Sequence, residues 1–175
     1  MGEEVEPEAP KKKATKKKAT TSEWKHAGWV SGIGKWAWIV AMINGILGII
    51  LSLYWIISTA IYWETVIRPL YESLFLPVPP MPIGLDIWYL IGSAITLIVS
   101  IVIIRPKFSK RCGEKDWDAL YEWVLNLGKL RFPWMLFWGV LVEIVSLWWW
   151  GGILILIPAF VLLFAGPKKY KWTRD

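Results

Sequence analysis

One residue stands where chemistry would be costly to place by chance. Glu143 is the only ionisable group in the run from Phe132 to Gly166, FPWMLFWGVLVEIVSLWWWGGILILIPAFVLLFAG. A charge near the centre of a bilayer costs at least ~2.5 kcal/mol, so a carboxylate there needs a reason. Counting from the basic boundaries, Asn44 lies eight residues past Trp36, Glu143 nine past Trp134 and Thr96 nine before Arg105. Each is ~12–14 Å inward at helical rise. Ser146 follows Glu143 at i+3, and Pro158 stands at a similar depth in the next segment. Glu143, Asn44, Thr96 and Ser146 are therefore expected to form an intramembrane polar layer. Such a layer can act as a hydrogen-bonded clasp that fixes helix register. It can also act as a proton- or cation-handling site in a small transporter or channel component.

Other chemistry finds little footing. Cys112 and His26 are each the sole residue of their type, so no intramolecular disulfide can form and no zinc-ligand cluster is visible. A neighbouring Arg111 would favour a Cys112 thiolate, but no histidine lies nearby in sequence to act as its base. There is no HExxH, no Ser-His-Asp set and no phosphate-cradling glycine loop. Gly32-x-Gly34 follows no strand and is too short for a nucleotide loop. The expectation is a non-enzyme with no cofactor and no metal.

The elements that must position Glu143 are apolar helices. Hydrophobic residues make up 55% of the 175 and charged residues 19%, and the charges lie at the two ends and in one central loop. That segregation points to an all-α integral membrane protein. The spans are expected at about 36–57, 87–104, 133–149 and 152–166, a four-span helical bundle. Spans three and four form a short hairpin turning at Gly151-Gly152, and a re-entrant hairpin fits the same pattern. The tryptophans at 148, 149 and 150 favour full crossing, because indoles prefer an interface to mid-bilayer. In the first span Ala37, Ala41, Asn44, Gly48 and Ser52 recur at helical spacing with Gly45 beside them. In the second, Gly92, Thr96 and Ser100 do the same, and Gly139 shares the stripe of Glu143. Small residues at such spacing let a second backbone approach closely.

Between the spans lie segments of different character. Residues 1–34 hold the repeat KKKATKKKAT and are expected to be a disordered Lys-rich cytosolic tail. Lys11–Lys18 would touch anionic lipid headgroups. Nothing in the tail reads bases, so nucleic acid is not the expected partner. The first thirty residues show no short apolar region with a cleavage site, and the first span is expected to serve as an uncleaved insertion signal. Residues 64–86 form an outer Pro-rich loop. There Glu64 and Arg68 can pair at i,i+4, Pro69 is expected to end or kink the helix, and Leu70, Tyr71, Leu74 and Phe75 suit a short interfacial helix. Arg105 and Pro106 are expected to close the second span. Residues 114–128 carry Trp117, Leu120, Tyr121, Val124 and Leu127 on one helical face, a cytosolic amphipathic helix that Gly128 is placed to stop. Residues 167–175 form a basic tail.

Charge sets the expected orientation. Residues 1–35 carry eight Lys against five Glu, and 105–131 carry seven Lys and Arg against four acids. Residues 58–86 carry one Arg against three acids. Every basic excess falls on the side that the positive-inside rule assigns to the cytoplasm, so both termini are expected there. The leading functional expectation is a non-catalytic accessory, scaffold or self-associating subunit of the cell membrane, in a homo-oligomer or a larger membrane complex.

Overall fold

The computed structural model describes residues 24–146 and 150–173. Two long helices and one short hairpin make up most of it. The first helix starts at α1 (Ala27–Tyr62), passes through a wide π-type turn at Trp63–Ile67 and ends as α2 (Arg68–Ser73). It runs unbroken over Ala27–Ser73, 47 residues or ~70 Å. The second comprises α3 (Gly84–Val99), a second π stretch over Ser100–Ser109 and α4 (Lys110–Gly113), 30 residues in all. Both are long and apolar enough to cross a membrane.

Two proline expectations are corrected here. Neither Pro69 nor Pro106 ends its helix. In each case a wider turn lies beside or around the ring, with the Arg68 amide reaching the Trp63 carbonyl and the Lys110 amide reaching that of Arg105. An i→i+5 bond skips a position, which relieves the missing N–H and the ring clash that proline brings to an α-helix. Leu70 to Ser73 therefore extend the first helix and form no separate interfacial helix. Phe75 turns the chain away with φ at +55°. The Glu64–Arg68 pair forms at 2.7 Å on the exposed surface.

Two further expectations are corrected in the polar segments. Residues 27–34 belong to α1, and Ala27, Val30, Ser31 and Gly34 are buried. The Lys-rich stretch Lys11–Lys18 lies outside the described residues. The amphipathic helix shrinks to α5 (Trp117–Glu122), after which the chain forms an antiparallel hairpin of β1 (Val124–Leu127) and β2 (Leu130–Pro133). Gly128 turns that hairpin with φ at +61°, the backbone that a two-residue loop demands of its first position. Arg131 donates its amide to the Trp172 carbonyl at 2.8 Å, so the C-terminal segment continues the sheet edge.

The remaining apolar run folds into α6 (Trp134–Val145) and α7 (Ile153–Ala165), of 12 and 13 residues. At ~18 and ~20 Å these arms are shorter than the ~30 Å apolar core of a bilayer. Two helices among the described residues, not four, have the length and composition of a membrane span. Trp148 and Trp149 lie outside the described residues.

Among the described residues, the basic central segment and the C-terminal segment meet at one end of the molecule. Trp24 donates its indole N–H to the Ala165 carbonyl at 2.7 Å, Tyr121 its hydroxyl to that of Leu162 at 2.7 Å, and Lys168 pairs with Asp118. The face of Trp117, Leu120 and Tyr121 thus packs on Trp24, just ahead of α1, and on the end of α7, with Leu120 fully buried.

Candidate functional site

Glycines mark where the helices close on one another. A methyl group on Gly45 would lie 2.9 Å from the Leu97 amide nitrogen and 3.0 Å from the Ser93 carbonyl, so α1 and α3 approach backbone to backbone there. One on Gly92 would run into the Val145 carbonyl, which joins α3 to α6. One on Gly139 would meet the Leu156 side chain at 2.6 Å, and one on Gly152 would strike the Gly139 carbonyl. Ala37, Ala41, Asn44, Gly48 and Ser52 are all buried along α1, Thr96 on α3 and Ser100 at the start of the π stretch that follows it.

Within this frame the polar residues part company. Glu143 is half-buried and faces along the hairpin. Its Oε2 accepts the Gly152 backbone N–H at 2.9 Å. Ser146 Oγ accepts the Gly151 N–H at 3.2 Å. Two successive amides at the start of α7 are therefore held by side chains at the end of α6. The first amides of any helix lack intrahelical partners, and a carboxylate is the favoured acceptor at that positive end. The sequence spacing supplies the means: Glu143 and Ser146 stand one turn apart and point the same way.

Asn44 reaches this turn from the other side. Its Oδ1 lies 3.2 Å from where a Gly151 side chain would begin, so Asn44, Ser146 and Gly151 converge. Thr96 is fully buried on α3, as is Ser93. Their hydroxyls, with that of Ser52, have no hydrogen-bond partner among the described residues. Among the described residues Thr96 makes no hydrogen bond to Glu143, whose carboxylate is held by the Gly152 amide. Pro158 is buried within α7.

The second feature of note was not singled out by sequence spacing. Lys35, Arg105 and Lys110 line a cavity of about 640 Å³ at the basic end, between α1 and the π stretch of the second helix. Arg105 lays its guanidinium 4.7 Å over the Trp38 ring, and Lys35 stands 5.6 Å over Trp36. Proline at 106 and a basic residue on each side of it are the only sequence signal for that cleft.

Cys112 is buried against Gly34 and Phe108. No cluster of three metal-ligating side chains occurs among the described residues. Comparison with family models, curated proteins and solved structures gives no match to this chain.

Proposed function

We propose that this chain is a multi-pass membrane protein with a non-catalytic role, an accessory or self-associating subunit whose outer helix end is covered by another polypeptide. The observation that carries this reading is a mismatch between its two long helices. From Gly84 to Arg105 the second runs 22 residues, ~33 Å, one bilayer crossing. The first runs from Trp36 to Ser73, ~57 Å, so ~24 Å of it projects beyond the start of α3. That projecting part exposes Ile61, Tyr62, Val66 and Leu70. A helix standing in water does not leave such a length of apolar surface bare without a partner to cover it.

The hairpin is read as re-entrant. Its turn lies beside Asn44, nine residues or ~14 Å above Lys35, and α6 packs on Gly92, ~20 Å above Arg105. The hairpin as a whole leaves from the basic end at Trp134 and returns to it at Ala165. Charge puts that end, with both termini, at the cytoplasmic face of the cell membrane. Glu143 serves the turn in this reading, with its carboxylate accepting the Gly152 amide.

Purification from the native membrane in mild detergent, with masses of what stays attached, tests the proposal. A mass above that of the 20.2 kDa chain, reduced by charge substitution at Ile61 and Val66, supports it. A bare monomer would overturn it.

A further inference from the structure

We infer that the cleft between Lys35 and Arg105 binds the phosphodiester headgroup of an anionic membrane phospholipid. This rests on the membrane reading above and adds a ligand to it. Three cations line the cleft, and Glu114 is the one acid on its wall. Among the described residues no carboxylate pairs with Lys35, Arg105 or Lys110, whereas Arg68 and Lys168 each have one. The charge is therefore unspent. Arg105 also sits over the face of Trp38, its guanidinium carbon 4.7 Å from the ring centroid, and its N–H groups have no acceptor among the described residues. A planar fork of that kind matches two phosphate oxygens at once.

Position selects a lipid over a soluble anion. Lys35 is the last residue before the apolar run of α1, and Arg105 the first after that of the second helix. The cleft thus opens at the level of the headgroups. Its apolar wall is Trp38, Ile101 and Pro106, and Ile101 and Val102 are exposed just above it. An acyl chain can lie along that strip while the phosphate meets the cations. Basic pockets between spanning helices on the cytoplasmic side are suited to such headgroups. Arg105, within the π stretch, and Lys110, the first residue of α4, line the cleft with Lys35 and Trp38 of α1, while Phe108 is buried in the core.

The test is native mass spectrometry of the full chain in detergent, titrated with phosphatidylglycerol or phosphatidylcholine. The expected result is one retained phosphatidylglycerol, with roughly tenfold or greater weakening in the Lys35→Gln/Arg105→Gln/Lys110→Gln variant. Lys107→Gln, outside the cleft, should retain the lipid as the parent does. Ile101→Trp keeps every charge and fills the cleft from an exposed position, so it should weaken retention even where the triple variant folds poorly. Equal retention of both lipids, or parent-like retention in Ile101→Trp and the triple variant, would overturn the inference. So would displacement of the lipid by inorganic phosphate at matching concentration, which would make this a soluble-anion site. Extraction of the protein from membranes by alkaline carbonate would instead sink the membrane reading, and is scored separately.

Discussion

The carboxylate of Glu143 accepts the backbone N–H of Gly152 at 2.9 Å, nine residues along the chain and across the turn of a hairpin. A charged side chain in an apolar run thereby acts as the cap of the helix that follows it. Ser146 does the same for Gly151. The residue that first suggests transport is engaged in holding two short helices together.

Substitution at Glu143 should follow hydrogen-bonding capacity, not charge. Glu143→Gln keeps an acceptor for Gly152 and should change stability by less than about 1 kcal/mol. Glu143→Ala leaves that amide unpaired and should cost about 1–3 kcal/mol. Thermal unfolding in detergent followed by circular dichroism separates the two.

Glycines should divide sharply by location. Gly152→Ala forces a methyl into the Gly139 carbonyl and the Glu143 amide, and should destabilise by about 1–3 kcal/mol. Gly28 and Gly32 also sit in a helix, but nothing lies within 4 Å of a methyl on either. Their replacement by alanine should gain up to about 1 kcal/mol from helix propensity alone. Equal effects in the same melting assay would contradict the close approach at the hairpin.

Tyr121 should make stability fall at alkaline pH. Burial pushes its hydroxyl above the ordinary tyrosine value, and the neutral phenol is the form that donates to Leu162. The folded value being raised, its contribution is complete below about pH 10, the unfolded value, and is lost as pH rises through the folded one. Tyr121→Phe should be less stable than the parent by about 1 kcal/mol at pH 8. That gap should begin to shrink at about pH 10 and close as the pH rises through the raised folded value. A constant gap across the range would show that the hydroxyl's protonation is not coupled to folding.

Gly128 should tolerate asparagine better than valine. Its φ of +61° is strained for any residue with a Cβ, and a β-branched one should cost about 1–2 kcal/mol. Because the hairpin holds Trp172 through Arg131, proteolysis of the C-terminal segment should be faster in Gly128→Val.

Much of the scaffold was legible because apolar helices can pack closely only at small residues. Gly45, Gly92 and Gly139 are such positions, and spacing alone draws the eye to them. The partner of Glu143 was not legible in the same way. Spacing ranks side chains by depth and invites pairing among them, whereas the amides that take these acceptors are those of Gly151 and Gly152 themselves. Open amides at the start of a helix are the signal in the sequence that points to this partner. The segment 117–133 misled for another reason. Trp117, Leu120, Tyr121, Val124 and Leu127 fit a helical period, yet Val124–Leu127 and Leu130–Pro133 flank a two-residue Gly128-Lys129 loop. A short apolar run supports either period, and pairing with the C-terminal segment decides for the strand.

The hairpin's depth has its own readout. With Cys112 replaced by alanine, a cysteine at Trp150 should resist an impermeant thiol reagent added outside intact cells. Prompt labelling from outside would restore two full crossings for α6 and α7.

The most direct test of the account is proton and cation flux in proteoliposomes, run for the parent and for Glu143→Gln with stability measured in parallel. The account predicts no flux above protein-free vesicles in either, and closely similar unfolding temperatures. A flux carried by the parent and lost in a fully folded Glu143→Gln would contradict it, and would return Glu143 to a conduction path.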